Sequence, residues 1–440
     1  IVVFNEDGVQ ITQNTVAVDT NESADAIGIG VGAQAIDSST TTSGGVTNAI
    51  VARNRIVSVL SQSTVGFSAA GITVSGGAGG ANTIVNNMIT GVTAPSTSPD
   101  LVAGVFVAGA AGSSTRLYNN SISMTGDRGA VASQMPSYGI AVTGTDPTVE
   151  LKNNIFYTSQ ISSGGGANAK SYAIGMVTSA FTNLDSNYND FWSTGANDGG
   201  FRTGSLGAGA GTDYADIAAW QTAVSDDTNS LESDPTFVDP LTDLHLQVGS
   251  TMTGAGVTIG SVTTDFDGDP RSAPYDIGAD QFPDTTPPDT QILTNPTNPS
   301  NSSDATFTFS GTDSVISAVA SFECDLDGSG FATCTSPKTY NGLSQGSHTF
   351  QVRAKDGAGN VDPTPASYTW TVDTIAPDTQ ILSTPPNPSN TSSPTFTFSG
   401  TDSAIATVAS FECSVDADPF TPCTSPATPT GLLDGTRLFR

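Results

Sequence analysis

This sequence has little basic charge and no long apolar segment. Only 12% of its residues are charged, about half the usual share of about 25% in globular proteins. Its four lysines are Lys152, Lys170, Lys338 and Lys355. With a formal net charge of −29, the chain would be repelled by nucleic-acid phosphates and by anionic membrane surfaces. We therefore expect no nucleic-acid partner, and no apolar stretch reaches the about 18 residues that a membrane span needs.

Cysteine is also scarce, and the four cysteines form two pairs with the same spacing. Cys324 and Cys334 are ten residues apart, as are Cys413 and Cys423. A zinc site would need closer cysteines or histidine partners, and the chain has only two histidines. The equal spacing predicts two local disulfides, and hence an oxidising, extracellular compartment. The chain opens in strand-like sequence, so we expect a mature or trimmed secreted product.

What the sequence does contain is a repeat of about 33 residues. Its most regular position is an asparagine, found at Asn14, Asn54, Asn87, Asn120, Asn154 and Asn187. An aliphatic residue, such as Leu117, stands three places before each of them. A second column of alternating apolar pairs begins at Ile27 and Ile29 and continues at Ile72 and Val74. Self-similarity at a fixed period indicates a solenoid.

The local pattern within each repeat predicts strands. Residues 71–75 and 84–89 alternate between apolar and polar side chains, and Gly, Ser and Thr separate such runs. Because no helical stretch carries the chain back, successive repeats must stack as coils of a parallel β-helix, about 4.8 Å apart. The aliphatic columns then form one continuous core that a single coil could not build.

The asparagine column has a structural interpretation. Asparagine tolerates the left-handed backbone conformation of a sharp bend between strands. Stacked amides can also hydrogen-bond to one another along the axis. We interpret these six residues as a scaffold ladder, in preference to a binding site.

The segment after the coils is acidic. Residues 198–280 contain fourteen Asp and Glu but only two Arg. Residues 214–224, with Ile217, Trp220 and Val224 on one face, read as a helix capped by Asp213. We interpret residues 193–283 as the last coils and an acidic C-terminal cap.

Several stretches of this segment resemble those of secreted bacterial right-handed β-helix proteins. They are residues 230–240, 243–250, 265–271 and 276–282. The resemblance implies the fold of the pectate-lyase-like superfamily over about residues 1–283, and it carries little information on function.

A proline- and threonine-rich linker, residues 283–288, leads into a tandem repeat of 89 residues. Residues 306–313 return unchanged as residues 395–402. Alternating strands in units of this length predict β-sandwiches, and the units resemble bacterial extracellular Ig-like repeats, which serve as spacers. The expected fold is thus all-β, a right-handed parallel β-helix followed by tandem Ig-like β-sandwiches. The expected divisions are 1–192 for the coils, 193–283 for the last coils and cap, 284–375 for the first Ig-like domain and 376–440 for an incomplete second one.

At the repeat offset of 89, nothing in the second unit corresponds to residues 352–373. We expect this sequence to be part of a longer chain. The alternative is that a neighbouring copy supplies the missing strand and joins protomers into a fibre.

The sequence offers little support for enzymatic activity on this scaffold. A polygalacturonase-type hydrolase would need clustered Asp with a nearby His, and no His precedes position 245. A lyase-type mechanism needs a base beside carboxylates, and the available bases are Arg53, Arg55, Arg116, Arg128, Lys152 and Lys170. We predict that no column of the coils stacks acids against these bases, and we assign no catalytic residue.

One metal site has a sequence signal. Asp265, Asp267 and Asp269 alternate in a way that can present oxygen ligands to calcium. The segment lacks the closing Glu of an EF-hand loop, since the twelfth position is Asp276. The alternative is a solvated acidic turn stabilised by Gly268. Calcium is the one cofactor that the sequence suggests.

These observations favour a secreted or cell-surface structural protein or adhesin of bacterial type. Its expected partners are copies of itself or other surface proteins, in a filament or surface layer. The alternative is a secreted enzyme that binds or cleaves polysaccharide, with Ig-like accessory modules. A groove lined by carboxylates and a base would favour the enzyme, and a Thr-, Ser- and Asn-rich surface would favour adhesion or assembly.

Overall fold

A computed structural model describes the chain except for residues 21–24, 33–35, 37–44, 63–66, 96–99, 110, 131–133, 145, 165–168, 180–181, 208, 210, 314–318, 404 and 406. Contacts divide the described residues into two units. The first is Ile1–Thr285, and the second comprises Thr286–Asp313 and Val319–Arg440. Among the described residues, no helix has both the length and the apolar character needed to cross a membrane.

The first unit is a parallel β-helix, as predicted, in which each coil contributes strands to three sheets. The first sheet contains Val2–Val3, Ala26–Val31, Ala69–Gly76, Val102–Gly109, Ser137–Gly144, Ser171–Met176, Asp198–Thr203 and the antiparallel Thr212–Tyr214. The second contains Thr15–Thr20, Arg55–Ser61, Met88–Ile89, Val92–Thr93, Ser121–Met124, Ile155–Thr158 and Asp190–Ser193. The third contains Gln10–Thr12, Ile50–Ala52, Ala81–Val85, Ser114–Tyr118, Thr148–Lys152 and Leu184–Asn187.

The inward faces of the three sheets enclose a single apolar core. Each sheet supplies one residue per coil to a buried column. The third sheet supplies Ile11, Val51, Ile84, Leu117 and Leu151, and the second supplies Val16, Ile56, Ile89, Ile122, Phe156 and Phe191. Stacking identical positions removes apolar surface from water at every coil, and this burial is the main force that holds the coils together.

The first sheet departs from the predicted register at its second strand. Ile29 pairs with Ile72, whereas Ile27 pairs with Ala70 and lies toward the outer face. The predicted alignment of Ile27 and Ile29 with Ile72 and Val74 was therefore wrong by two residues. The alternation of apolar and polar residues could not indicate which strand residues pair here. This sheet is buried on both faces and carries apolar residues on each face.

The outer face of the first sheet is covered by the chain itself. Phe106, Tyr138 and Tyr172 project outward from it and are fully or almost fully buried. Leu101 and Leu206, from segments outside its strands, pack against them. The Tyr138 and Tyr172 rings stack with their centroids 5.3 Å apart. This face is therefore not available as an open binding surface.

A short helix closes the C-terminal end of the coil stack. It spans Ile217–Val224, and Trp220 stacks on Phe201 with ring centroids 5.3 Å apart. The capping residue is Asp216, whose carboxylate accepts a hydrogen bond from the Ala219 amide at 2.8 Å. The predicted cap, Asp213, was wrong, because that residue lies in an antiparallel strand and pairs with Arg202 at 2.7 Å.

Residues 234–283, here called the return segment, do not cover the end of the stack. They begin with the hairpin Phe237–Asp239 and Asp243–Leu246 and run back along the corner between the second and third sheets. Asn153 Nδ2 donates to the Val257 carbonyl at 2.7 Å, and Arg53 Nε donates to the Phe266 carbonyl at 2.8 Å. The interpretation of this region as last coils and cap is corrected accordingly. Only its first part, through the helix, lies at the coil end.

The second unit consists of antiparallel sheets, in agreement with the predicted fold class. Its first repeat has a sheet of Asp289–Thr294, Ala305–Thr312 and Lys338–Tyr340 and a sheet of Ala332–Cys334, Val319–Leu326, Gly346–Asp356 and Ala366–Val372. Its second repeat has the pairs Asp378–Ser383 with Thr397–Thr401 and Phe411–Cys413 with Thr421–Cys423. Phe307, Phe350 and Trp370, from both sheets of the first repeat, are fully buried together. The first repeat is therefore sandwich-like.

The contacts of the first repeat recur in the second at the offset of 89 residues. The ring centroids of Phe307 and Phe350 are 4.1 Å apart, and so are those of Phe396 and Phe439. The sequence repeat is thus a structural repeat.

The two predicted disulfides are present. Cys324 is bonded to Cys334 and Cys413 to Cys423, with Cα–Cα distances of 5.8 and 5.7 Å. Each closes a short loop between neighbouring antiparallel strands.

Candidate functional site

The asparagine ladder is a continuous, buried line of side-chain amides. Asn54 Nδ2 donates to Asn87 Oδ1, and Asn87 Nδ2 donates to Asn120 Oδ1, both at 2.9 Å. The backbone amide of each of these donors also donates to the next Oδ1, at 3.0 Å. Each Nδ2 reaches back to a carbonyl of the preceding coil as well, as Asn120 does to Ile84 at 2.8 Å. Because the amides are fully engaged with one another and with the backbone, they form scaffold and leave no group free for a ligand.

The last rung of the ladder is Asn189, and the prediction of Asn187 was wrong. Asn154 Nδ2 donates to Asn189 Oδ1 at 3.0 Å, whereas Asn187 pairs in register with Lys152. The final coil is two residues longer before this bend, so the constant period gave the wrong residue. Asn189 in turn donates its backbone amide to Ser230 Oγ at 2.9 Å, which ends the ladder.

The left-handed conformation also lies elsewhere than predicted. It belongs to the residue before each ladder position and not to the asparagine itself. These residues are Gln13, Arg53, Asn86, Asn119, Asn153 and Tyr188, with φ between 51° and 58°. Several of them turn their side chains outward to the return segment, so the corner of the coils also serves as its attachment line.

The outer face of the third sheet is the most open face of the coils. One in-register row crosses it, formed by Gln10, Ile50, Thr83, Arg116, Glu150 and Asp185. Arg116 is 3.4 Å from Glu150, and Lys152 pairs with Asp185. The prediction that no column stacks acids against bases was therefore wrong. Arg116 and Glu150 each stand four places before a ladder asparagine, Asn120 and Asn154, so the repeat already aligned this pair and the prediction overlooked it.

The six basic residues considered for a lyase mechanism all have partners. Arg53 and Arg55 donate to carbonyls of the return segment, and Arg128 donates to the carbonyls of Met135 and Ala169. The other three, Arg116, Lys152 and Lys170, pair with Glu150, Asp185 and Asp213. These contacts give each base a structural role.

The predicted calcium ligands point in different directions. The Asp265 carboxylate is buried and accepts hydrogen bonds from the amides of Gly268 and Asp269, both at 2.9 Å, and of Gln281 at 3.2 Å. Its oxygens hold the turn. Asp267 and Asp269 are exposed. Calcium binding by these three residues stays a prediction, and the structure supports the alternative of an acidic turn fixed by its own backbone.

Asp267 instead approaches residues that are distant in sequence. Ligand atoms of Asp267, His245 and Asp280 all lie within 4.8 Å of one another. His245 Nε2 is 2.9 Å from Asp267 Oδ2, and its Nδ1 pairs with Asp243. Burial alone lowers the pKa of His245, but the hydrogen bonds to Asp243 and Asp267 outweigh burial and raise it above its ordinary value. The sequence did not predict this cluster. His245 and Asp280 are 35 residues apart, and the stretch between them has no repeat that would indicate their proximity.

No protein-family model matches the chain, and a search of curated proteins finds no match. Function must therefore be argued from the geometry.

Proposed function

We propose that this chain is an extracellular structural or adhesive protein, in which a rigid β-helix of the pectate-lyase-like superfamily is joined to Ig-like spacer repeats. The observation that carries the proposal is the distribution of covered faces. The first sheet is buried on both sides, and the return segment covers much of the second. The third sheet keeps an open, in-register row in which every side chain except Ile50 is polar, and such a row suits contact with another extended surface.

The chemistry of this face favours binding over catalysis. Arg116 is 48% exposed and its side chain is held by Glu150, so its charge is matched within the row. A proton-abstracting arginine would instead need to face a substrate that is held between carboxylates. The expected partner is a polysaccharide or protein surface that offers hydrogen-bonding groups of its own.

The proposal is tested by blocking one face at a time in the full chain. Thr148→Trp places a bulky side chain on the open third sheet, and Thr15→Trp places it on an exposed strand of the second. We expect Thr148→Trp to abolish binding to immobilised polysaccharides or bacterial cells, and Thr15→Trp to preserve it. Equal binding by both variants would contradict the proposal. Release of unsaturated sugar products would establish the lyase alternative instead.

Self-assembly into a filament or surface layer is the second candidate, and apolar groups on the second repeat favour it. Leu433 is 77% exposed and Leu438 is 55% exposed, and both are close in sequence to Phe439, which forms an isolated antiparallel bridge with Val415. We infer that a second copy of the chain adds a strand at this repeat and covers these side chains. The expected result is a concentration-dependent increase in mass by light scattering.

Leu433→Asp is expected to abolish this association. Val248→Asp is the control, because Val248 is 85% exposed and lies in the first unit. A monomer at all concentrations would remove the filament and leave the adhesin.

A further inference from the structure

The strongest unexplained group is the cluster of His245, Asp267 and Asp280 in the return segment. Three separate pieces of chain supply it: the hairpin strand Asp243–Leu246, the acidic turn and the segment near residue 280. Their ligand atoms lie within 4.8 Å of one another. Two carboxylates and one imidazole at this spacing can surround a single cation.

The histidine is oriented as a metal ligand would be. Its Nδ1 donates to the Asp243 carboxylate and its Nε2 donates to the Asp267 carboxylate, so departure of the Nε2 proton would leave the Nε2 lone pair facing Asp267 while Asp243 keeps the proton on Nδ1. Metal-binding histidines usually donate their second ring nitrogen to a carboxylate in this way, which fixes both the tautomer and the ring plane. The edge of the ring also meets Phe266, with centroids 6.0 Å apart.

The two carboxylates have complementary positions. Asp280 is 7% exposed, and its Oδ2 accepts the Leu246 amide at 3.0 Å, which fixes it beside the hairpin. The Asp267 side chain is 50% exposed and gives an ion a path from solvent. One rigid ligand and one accessible ligand leave coordination positions for water.

We propose that His245, Asp267 and Asp280 bind a divalent transition-metal ion with the ligand preference of zinc. An imidazole nitrogen with carboxylate oxygens suits zinc, whereas calcium takes six to eight oxygens. On binding, a metal–Nε2 bond replaces the hydrogen bond between Nε2 and Asp267, and any proton on Nε2 leaves to solvent. The ion joins the hairpin to the acidic turn and so stabilises the fold of the return segment itself. This site is independent of the proposed adhesive face.

The test is titration of the metal-free full chain with Zn²⁺, followed by calorimetry and thermal melting. We expect one tight site and a higher melting temperature of the first unit. His245→Ala should weaken binding at least about 100-fold, because it removes a direct ligand. Asp243→Asn should weaken it about 10- to 100-fold, as loss of an orienting partner does. His348→Ala, at the only other histidine, should leave the Zn²⁺ affinity unchanged.

Asp267→Asn gives a second test that does not depend on a buried group, since this side chain is half exposed. It should weaken Zn²⁺ binding while the circular dichroism spectrum stays unchanged. Co²⁺ used as a probe should show visible absorption bands that are lost in His245→Ala. Unchanged Zn²⁺ affinity in His245→Ala would overturn the proposal. So would Ca²⁺ binding that is tighter than Zn²⁺ binding and lost in Asp269→Asn, which would place the ion in the acidic turn.

Discussion

At the scale of single residues, the asparagine ladder shows how a buried polar line can stabilise an apolar core. A buried amide that lacks partners costs about 1–3 kcal/mol. Each inner ladder asparagine, such as Asn54, avoids this cost, because its Oδ1 accepts from the previous coil and its Nδ2 donates to a ladder neighbour and to the backbone. The ladder thus fixes the register between coils, and the apolar columns supply most of the free energy.

The two asparagines of the last coil give a matched pair of variants. Asn189→Ala should lower the free energy of unfolding by at least about 2 kcal/mol, because it leaves the buried backbone amide of Asn154 without its acceptor and removes one acceptor of the Asn154 Nδ2 group. Asn187→Ala should cost about 1 kcal/mol or less, since Asn187 is only half-buried. Urea unfolding monitored by circular dichroism measures both. A larger loss at Asn187 would show that the register of the last coil is wrong.

Asp190 predicts a pH dependence of stability. It is fully buried, and although its Oδ1 accepts the Ser233 amide at 3.0 Å, its Oδ2 has no partner in the described part of the chain. Burial raises its pKa well above the ordinary value. The folded state therefore holds this proton more tightly than the unfolded state. The stabilising contribution is complete below the unfolded pKa of about 4 and is lost as the pH rises through the folded value.

Asp190→Asn removes this titration while Oδ1 keeps its role as an acceptor. Above the folded pKa the variant should be more stable than the parent, and the difference should shrink toward pH 4. Asp19→Asn is the control, because Asp19 is exposed. Melting temperatures measured across this pH range decide the matter, and parallel curves for Asp190→Asn and the parent would contradict the assignment.

At the scale of elements, the strands of the first sheet pass very close to the second sheet at one position in each coil. Glycines occupy this position in four successive coils, at Gly28, Gly71, Gly104 and Gly139. A Cβ on Gly104 would lie 2.2 Å from Ile122 Cγ2 and 2.8 Å from the Gly139 carbonyl oxygen. The close approach of the two sheets requires the absence of a side chain there.

Gly104→Ala should therefore lower the free energy of unfolding by about 1–3 kcal/mol through overpacking. Gly260→Ala is the matched control, because a Cβ on Gly260 meets nothing within 4 Å, and a change within about 0.5 kcal/mol is expected. Chemical unfolding of both variants compares the two sites. Equal stabilities would mean that the sheets are further apart than described.

The disulfides belong to the same scale, since each links two adjacent strands. We predict that intact-mass measurement of non-reduced protein finds no free thiol. Removal of a bond should cost about 2–4 kcal/mol by freeing the unfolded chain. The double variant Cys324→Ser/Cys334→Ser should lose more free energy of unfolding than Cys413→Ser/Cys423→Ser, because only the first pair is buried in the core of its repeat. A smaller loss of stability on removal of Cys324–Cys334 would contradict the placement of this disulfide in the core of the first repeat.

At the scale of the whole molecule, the coils of the first unit share one core and should unfold together. Leu117 lies at its centre and is fully buried, and neighbouring Arg116 points outward and is exposed. Leu117→Asp should unfold the first unit, because an unpaired buried carboxylate costs several kcal/mol. Arg116→Asp should change the melting temperature little. A Leu117→Asp variant that melts like the parent would show that the inward register is wrong.

The sequence by itself determined the features that depend on local pattern. The period, the alternation around Leu117 and the paired cysteines predicted the coils, the core columns and both disulfides, because each requires only neighbouring residues or a constant repeat. Two of these predictions were wrong. The last ladder residue, Asn189, was missed because its coil is longer, and the register of Ile29 was misassigned because its strand is buried on both faces.

Only the tertiary structure decided what lies outside the period. The return segment docks through contacts such as Asn153 to Val257, 104 residues apart, and no local pattern encodes them. Its path depends on which corner the stacked coils leave uncovered, and that same path brings His245 to Asp267 and Asp280. The periodic sequence determines how the coils stack on one another. The return segment has no period, so its position depends on the outer surface that the stacked coils form.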